Sequence, residues 1–164
     1  MYAIAEMPLL DVTPLEVVQD RRDRDDEWLS RELDYLWDTH FSDIRRANCV
    51  HIEFARKWKT RLGLITLSSS ERTTYIGINS LLRFAQVPWY VPTVTIAHEL
   101  VHYAHGFGSP LPQKHKHPHR GGIVSQELSR RGLENELALY TRWVAEFWHI
   151  FSCRSHKAVR VVGH

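Results

Sequence analysis

At 164 residues, with 43% hydrophobic and 11% aromatic side chains, the chain has the length of one ordinary domain and enough apolar material for a core. It contains no run of about 18 apolar residues, which excludes a membrane-spanning helix, and its two cysteines, Cys49 and Cys153, exclude a disulfide framework and a Cys-x-x-Cys site. The net charge of +2 conceals an asymmetry, because residues 1–40 carry 11 acidic and 4 basic side chains whereas residues 41–164 carry 8 and 17.

A basic body suits a polyanionic partner such as DNA, or else forms a surface balanced by the acidic N-terminal part. The start of the chain, Met1 to Glu6, lacks the basic and apolar regions of a secretory signal. Together with the sparse cysteines, this points to an intracellular, cytoplasmic protein.

In chain order, residues 1–27 read as an N-terminal arm with Pro8 and Pro14, followed by a mixed-charge connector, Asp20 to Glu27, suited to a solvated helix start. From Trp28 the apolar positions Leu29, Leu33, Leu36, Trp37, Phe41 and Ile44 recur at helical spacing, which predicts an amphipathic helix of about five turns. Val50, Ile52 and Phe54 alternate with His51, Glu53 and Ala55 as in a strand. Further strands are predicted at Leu62 to Ser68 and Thr73 to Ile78, with Gly63 and Gly77 leaving room for bulges. Short connections between the three imply a small antiparallel sheet. Asn79 can cap a short helix over Ser80 to Phe84, and Pro92 and Thr93 are start signals for a longer one. Beyond a Pro/Lys/His loop, Ser109 to His119, helices are expected from Ile123 to Arg131 and from Glu134 onward, separated by Gly132. Residues 153–164 read as a basic C-terminal tail, extended or forming an edge strand.

The chemistry is concentrated in Val94 to Ala104, where His98-Glu99-Leu100-Val101-His102 lies inside an apolar run. Residues four apart on an α-helix share a face, so His98 and His102 can bind one Zn²⁺, with Glu99 beside them as general base towards a water. A buried carboxylate and two buried imidazoles without partners would be costly, and a metal is the simplest partner.

A catalytic zinc takes three protein ligands and leaves one position open. The metzincin pattern fails, because its glycine and final histidine positions are His105 and Gly108 here. Glu127, Glu134 and Glu136 lie further along, while His115, His117 and His119 in the loop offer a closer source.

These residues give the chain a resemblance to the SprT-like zinc metallopeptidases, a family that includes proteases of DNA–protein crosslinks. The resemblance covers roughly residues 28–150. It rests on His98 to His102, on His119-Arg120-Gly121-Gly122-Ile123 as the counterpart of the family's His-Gly-x-x-Phe element, and on the upstream order of helix, strands and short helix. Arg120 stands where the family usually has glycine, which leaves His117 as an alternative to His119.

The resemblance implies a zincin-like α+β domain over residues 28–152, with helices packed on the small sheet. It further implies His98, His102 and His119 as ligands, Glu99 as general base, and hydrolysis of peptide bonds in proteins bound or crosslinked to DNA. Tyr103, His105 and Arg120 are the nearby candidates for stabilising an oxyanion. A zinc-ribbon module cannot be built from Cys153 alone, so DNA would meet the basic surface and the tail residues Arg154, Lys157 and Arg160. The rival expectation is a non-catalytic DNA-binding or adaptor protein that keeps zinc for stability; a metallohydrolase of non-peptide substrates is a third.

Overall fold

The structure, a computed structural model, describes residues 22–158, with side chains described as far as Cys153. The N-terminal arm up to residue 21 and residues 159–164 of the tail lie outside the described residues. Helix α1 (Asp26–His40) begins where the Asp25 side chain accepts a hydrogen bond from the Trp28 backbone N–H at 2.8 Å. Asp26 and Glu27 then place negative charge at the positive end of the helix. Leu29, Leu33, Leu36 and Trp37 form its buried stripe. It ends before Ile44, whose carbonyl accepts from Trp37 Nε1 at 2.8 Å as the chain turns back.

The end of the charged connector is a solvated helix start, with Asp25, Asp26 and Glu27 exposed, but Arg24 within it is docked. The Arg24 backbone N–H donates to the Arg83 carbonyl, and its guanidinium donates to the carbonyls of Leu82, Phe84 and Val87 at 3.2, 3.0 and 2.9 Å. That set of acceptors offsets the partial burial of the charge.

Strands β1 (Cys49–Phe54), β2 (Gly63–Leu67) and β3 (Thr73–Ile78) form one sheet in the order β1-β3-β2. The sheet is mixed, not antiparallel as the short connections implied. β2 pairs antiparallel with β3 through the turn at 68–72, but β1 pairs parallel with β3, His51 opposite Tyr75 and Ile52 opposite Ile76. The reason lies in the connection 55–62, which carries the chain past the central strand to the far edge. Asn79 Nδ2 holds that connection by donating to the carbonyls of Trp58 and Arg61, both at 2.8 Å. The same side chain caps the short 3₁₀ turn Ser80–Arg83 by accepting from the Leu81 N–H.

Helix α2 (Tyr90–Ala104) runs through the middle of the molecule, with α1, β2 and β3 packed against it and α3 (Ile123–Arg130) and α4 (Glu134–Trp143) packed on it as well. α4 continues through a π-helical stretch, Val144–Trp148, into α5 (His149–Ala158). Residues 153–158 are therefore helical, and the extended tail expected from Cys153 onward is not found there. The alternation of Val159, Val161 and Val162 that suggested it belongs to residues outside those described. Arg131 joins α1 to α3, its guanidinium meeting Asp43 at 2.6 Å, Glu127 at 2.8 Å and the His40 carbonyl at 2.9 Å. No helix among the described residues is long and apolar enough to cross a membrane.

Candidate metal centre

Helix α2 buries every residue from Val91 to Ala104 except His98, which is half-buried. Such burial needs a helix that is apolar nearly all round, and Val94, Ile96, Ala97, Leu100 and Val101 supply it. Pro92 sits in the first turn, where a missing N–H costs nothing. On this scaffold His98 and His102 lie one turn apart with ring centroids 4.7 Å from one another.

The third histidine comes back from the loop. Beyond Ala104 the chain turns sharply at Gly106, in a left-handed conformation (φ 79°) where a Cβ would lie 2.5 Å from the Pro112 carbonyl oxygen. The loop then returns along the helix end, with Ser109 Oγ donating to the Tyr103 carbonyl and the Lys114 N–H to that of His105. It delivers His119, whose Nε2 lies 2.9 Å from His102 Nε2 and 3.3 Å from His98 Nε2. Left-handed Gly121 and Gly122 then reverse the chain into α3.

One ligand atom from each of these three histidines falls within 4.8 Å of the others. Donors held tetrahedrally about 2.0–2.1 Å from a zinc ion stand about 3.3 Å apart, close to the observed spacing. A single Nε2–H can bridge one pair of rings but not all three, whereas one cation satisfies them together. Burial lowers the His98 imidazole to about 4 and the His102 imidazole to about 3, with the neighbouring histidines adding to the effect. Both rings are therefore neutral at neutral pH, as ligation requires. His102 Nδ1 is buried with no hydrogen-bond partner among the described residues. Its ring is steered by packing, Phe107 lying edge-on at 6.3 Å, rather than by an outer carboxylate. The residues fit a metal ion.

Glu99 is 5% exposed, and burial pushes its carboxyl up to about 8 against the opposing influence of Arg61. It lies directly under β2. A Cβ at Gly63 would stand 2.7 Å from Glu99 Oε1 and 2.8 Å from Thr95 Cγ2, so glycine there is a close-approach residue, not a bulge. The three histidines and Glu99 line one open cleft of about 680 Å³ together with Gly63, Leu64, Ile65 and Thr66 of β2. Four consecutive residues of a strand line a cleft only when it runs along the strand's edge, and the sheet order leaves that edge of β2 unpaired.

The other sequence candidates lie elsewhere. His117 is exposed and outside the cluster, and His115 packs on His105 with ring centroids 4.7 Å apart. Glu127 is taken by Arg130 and Arg131, and Glu134 and Glu136 begin α4 away from the three histidines. Tyr103 is fully buried, its hydroxyl donating to Asn48 Oδ1 and accepting from the Ala47 N–H, both at 2.9 Å. Arg120 is exposed and does not line the cleft.

Three cleft residues carry no functional signal in the sequence: Gly63, Arg61 and Tyr140. Tyr140 belongs to the apolar stripe of α4, and no local pattern separates it from its core-forming neighbours. Burial raises its phenol, and it lines the cleft together with Thr95. No protein-family model, curated protein or solved structure matches the chain. Function is therefore read from these residues and their geometry.

Proposed function

We propose that this protein is a zinc-dependent endopeptidase of the SprT-like kind, acting in an intracellular setting on proteins bound to DNA. The observation that carries the reading is a three-histidine cluster with a buried glutamate beside it, set in a cleft that runs along an unpaired strand edge. His98, His102 and His119 would hold the zinc. When bound, the ion supplies a Lewis acid that polarises a carbonyl and makes water acidic enough to act near neutral pH.

The chain's own residues supply the rest. The free edge of β2 offers backbone N–H and C=O groups to an extended peptide, which fixes the scissile bond across the helix face. Glu99 lies beneath that edge, where it takes a proton from the attacking water and returns it to the departing amine. Recognition through the backbone imposes little side-chain selectivity, so substrate choice falls to recruitment. The connection 55–62 supports DNA in that role. It carries Arg56, Lys57, Lys59 and Arg61 with Trp58 in one short stretch, the four basic residues exposed, and its Thr60 and Arg61 form part of the cleft lining.

The same basic connection favours the second reading, a DNA-binding protein that uses the metal for stability alone. The test is cleavage of a basic DNA-binding protein by zinc-loaded material, with and without single-stranded DNA, and with Glu99→Gln as the blank. The peptidase reading expects cleavage that falls by at least about 10³-fold in Glu99→Gln while zinc content and fold persist. Undiminished cleavage by that variant, or none by the zinc-loaded parent, would sink it and leave the binding reading.

A further inference from the structure

The cleft holds a base and a metal cluster but still needs a donor for the oxygen that becomes negative when a carbonyl is attacked. We infer that Tyr140 is that donor, a catalytic residue whose hydroxyl binds the oxyanion from the α4 side of the cleft. The inference rests on the peptidase reading above and adds a residue to it.

Tyr140 lines the same cleft as Glu99 and the three histidines, although it reaches it from a different helix. Thr95, which lines the cleft as well, stands one turn before Glu99 on α2 and so on the same helix face. Thr95 Oγ1 donates its own proton to the Val91 carbonyl at 2.8 Å and so does not compete for the oxyanion. An alkoxide forming in the cleft is a strong, charged acceptor for a phenolic proton.

Burial also favours the phenol over the phenolate, which keeps the donor protonated. The rival candidates are placed otherwise: Tyr103 is spent behind the helix, His105 faces His115, and Arg120 is outside the cleft. Arg61 is exposed at the mouth.

In the step itself, Glu99 takes one proton from water as the water oxygen bonds to the carbonyl carbon, and the C=O π pair moves onto oxygen. Tyr140 donates a hydrogen bond to that oxygen without losing its proton. When the C–N bond breaks, the pair returns to re-form C=O, and Glu99 gives its proton to the amine. No other co-reactant is needed.

The experiment compares the zinc-loaded parent with Tyr140→Phe in three measurements: kcat and KM on a cleaved peptide, affinity for a phosphinic peptide that mimics the tetrahedral anion, and zinc content. The expected result is kcat lower by ~100-fold with KM within about threefold, and a matching loss of phosphinic-peptide affinity at unchanged zinc content. Tyr140→Gln, which keeps a hydrogen-bond donor, is expected to hold phosphinic-peptide affinity within about tenfold of the parent and serves if Tyr140→Phe does not fold. Phosphinic-peptide affinity that stays within about threefold in Tyr140→Phe would overturn the inference, as would a loss confined to Arg61→Met. If the parent cleaves nothing yet binds the phosphinic peptide in a Tyr140-dependent way, the anion site stands and the peptidase reading falls. If the parent does not bind it at all, both fall.

Discussion

Glu99 is a carboxyl whose burial has a sign that can be read in a titration. Its proton is held up to about 8 in the folded protein against an ordinary value of 4.5. The unfolded chain therefore gives up this proton first as pH rises, and stability falls between those two values before levelling off. The expected outcome, in metal-free protein, is that Glu99→Gln is more stable than the parent by about 3 kcal/mol at pH 7, with the difference gone by about pH 4. Denaturant unfolding at the two pH values checks it, and equal stability at pH 7 would mean the carboxyl is not as dry as its burial indicates. Reloading zinc should shrink the difference, because a cation beside the carboxylate favours its charged form.

At this scale the sequence was legible where spacing is local. His98, Glu99 and His102 follow from helical periodicity within five positions. The choice of His119 over His115 and His117 came instead from the family resemblance, and the cluster includes it; periodicity could not supply it, because a loop's register depends on where Gly106 and the two glycines before α3 turn the chain. Tyr140 and Gly63 could not be read at all, since their role exists only once α4 and β2 are folded against α2.

At the scale of elements, β2 and α2 meet so closely that one methyl group is too much. Gly63→Ala is expected to push on Glu99 and Thr95, costing about 1–3 kcal/mol of stability and at least about tenfold in kcat. Thermal unfolding together with steady-state rates checks this, and a variant with both values unchanged would show that the two elements can separate freely. The positions of the helices and strands were readable from periodicity, and the cap at Asp25 and the turn at Asn79 from residue type. Strand pairing was not. Alternation places β1 as a strand but carries no label for its neighbour, and the parallel partner is decided by the connection 55–62, whose anchoring on Asn79 is a tertiary fact. The C-terminal helix outran its expected end for a related reason. Past the Trp148 turn the sequence loses its apolar stripe, yet the α4 helix carries on through the π-helical stretch to Ala158.

At the scale of the molecule, the charge asymmetry and the cleft belong to one arrangement. The excess of basic residues after position 40 was plain from composition, but that the basic connection reaches the cleft through Arg61 became visible only in the fold. Exchanging Lys57 and Lys59 for glutamate is expected to weaken DNA binding across sequences and to lower the slope of log K against log salt by roughly 1 for each phosphate no longer neutralised. A salt titration of binding measures it, and an unchanged slope would assign DNA binding to another surface. Cleavage of a short free peptide by the same variant should stay as it was.

The origin of the three histidines has one more consequence. Two donors sit on a buried helix that cannot move without unfolding the core, and the third arrives on an exposed loop. Release of a bound ion would therefore begin when His119 lifts off, and its half-life would be set by how often the loop between Ser109 and Gly122 opens. Affinity and lifetime would in this way be governed by different parts of the chain, the helix fixing what is bound and the loop for how long.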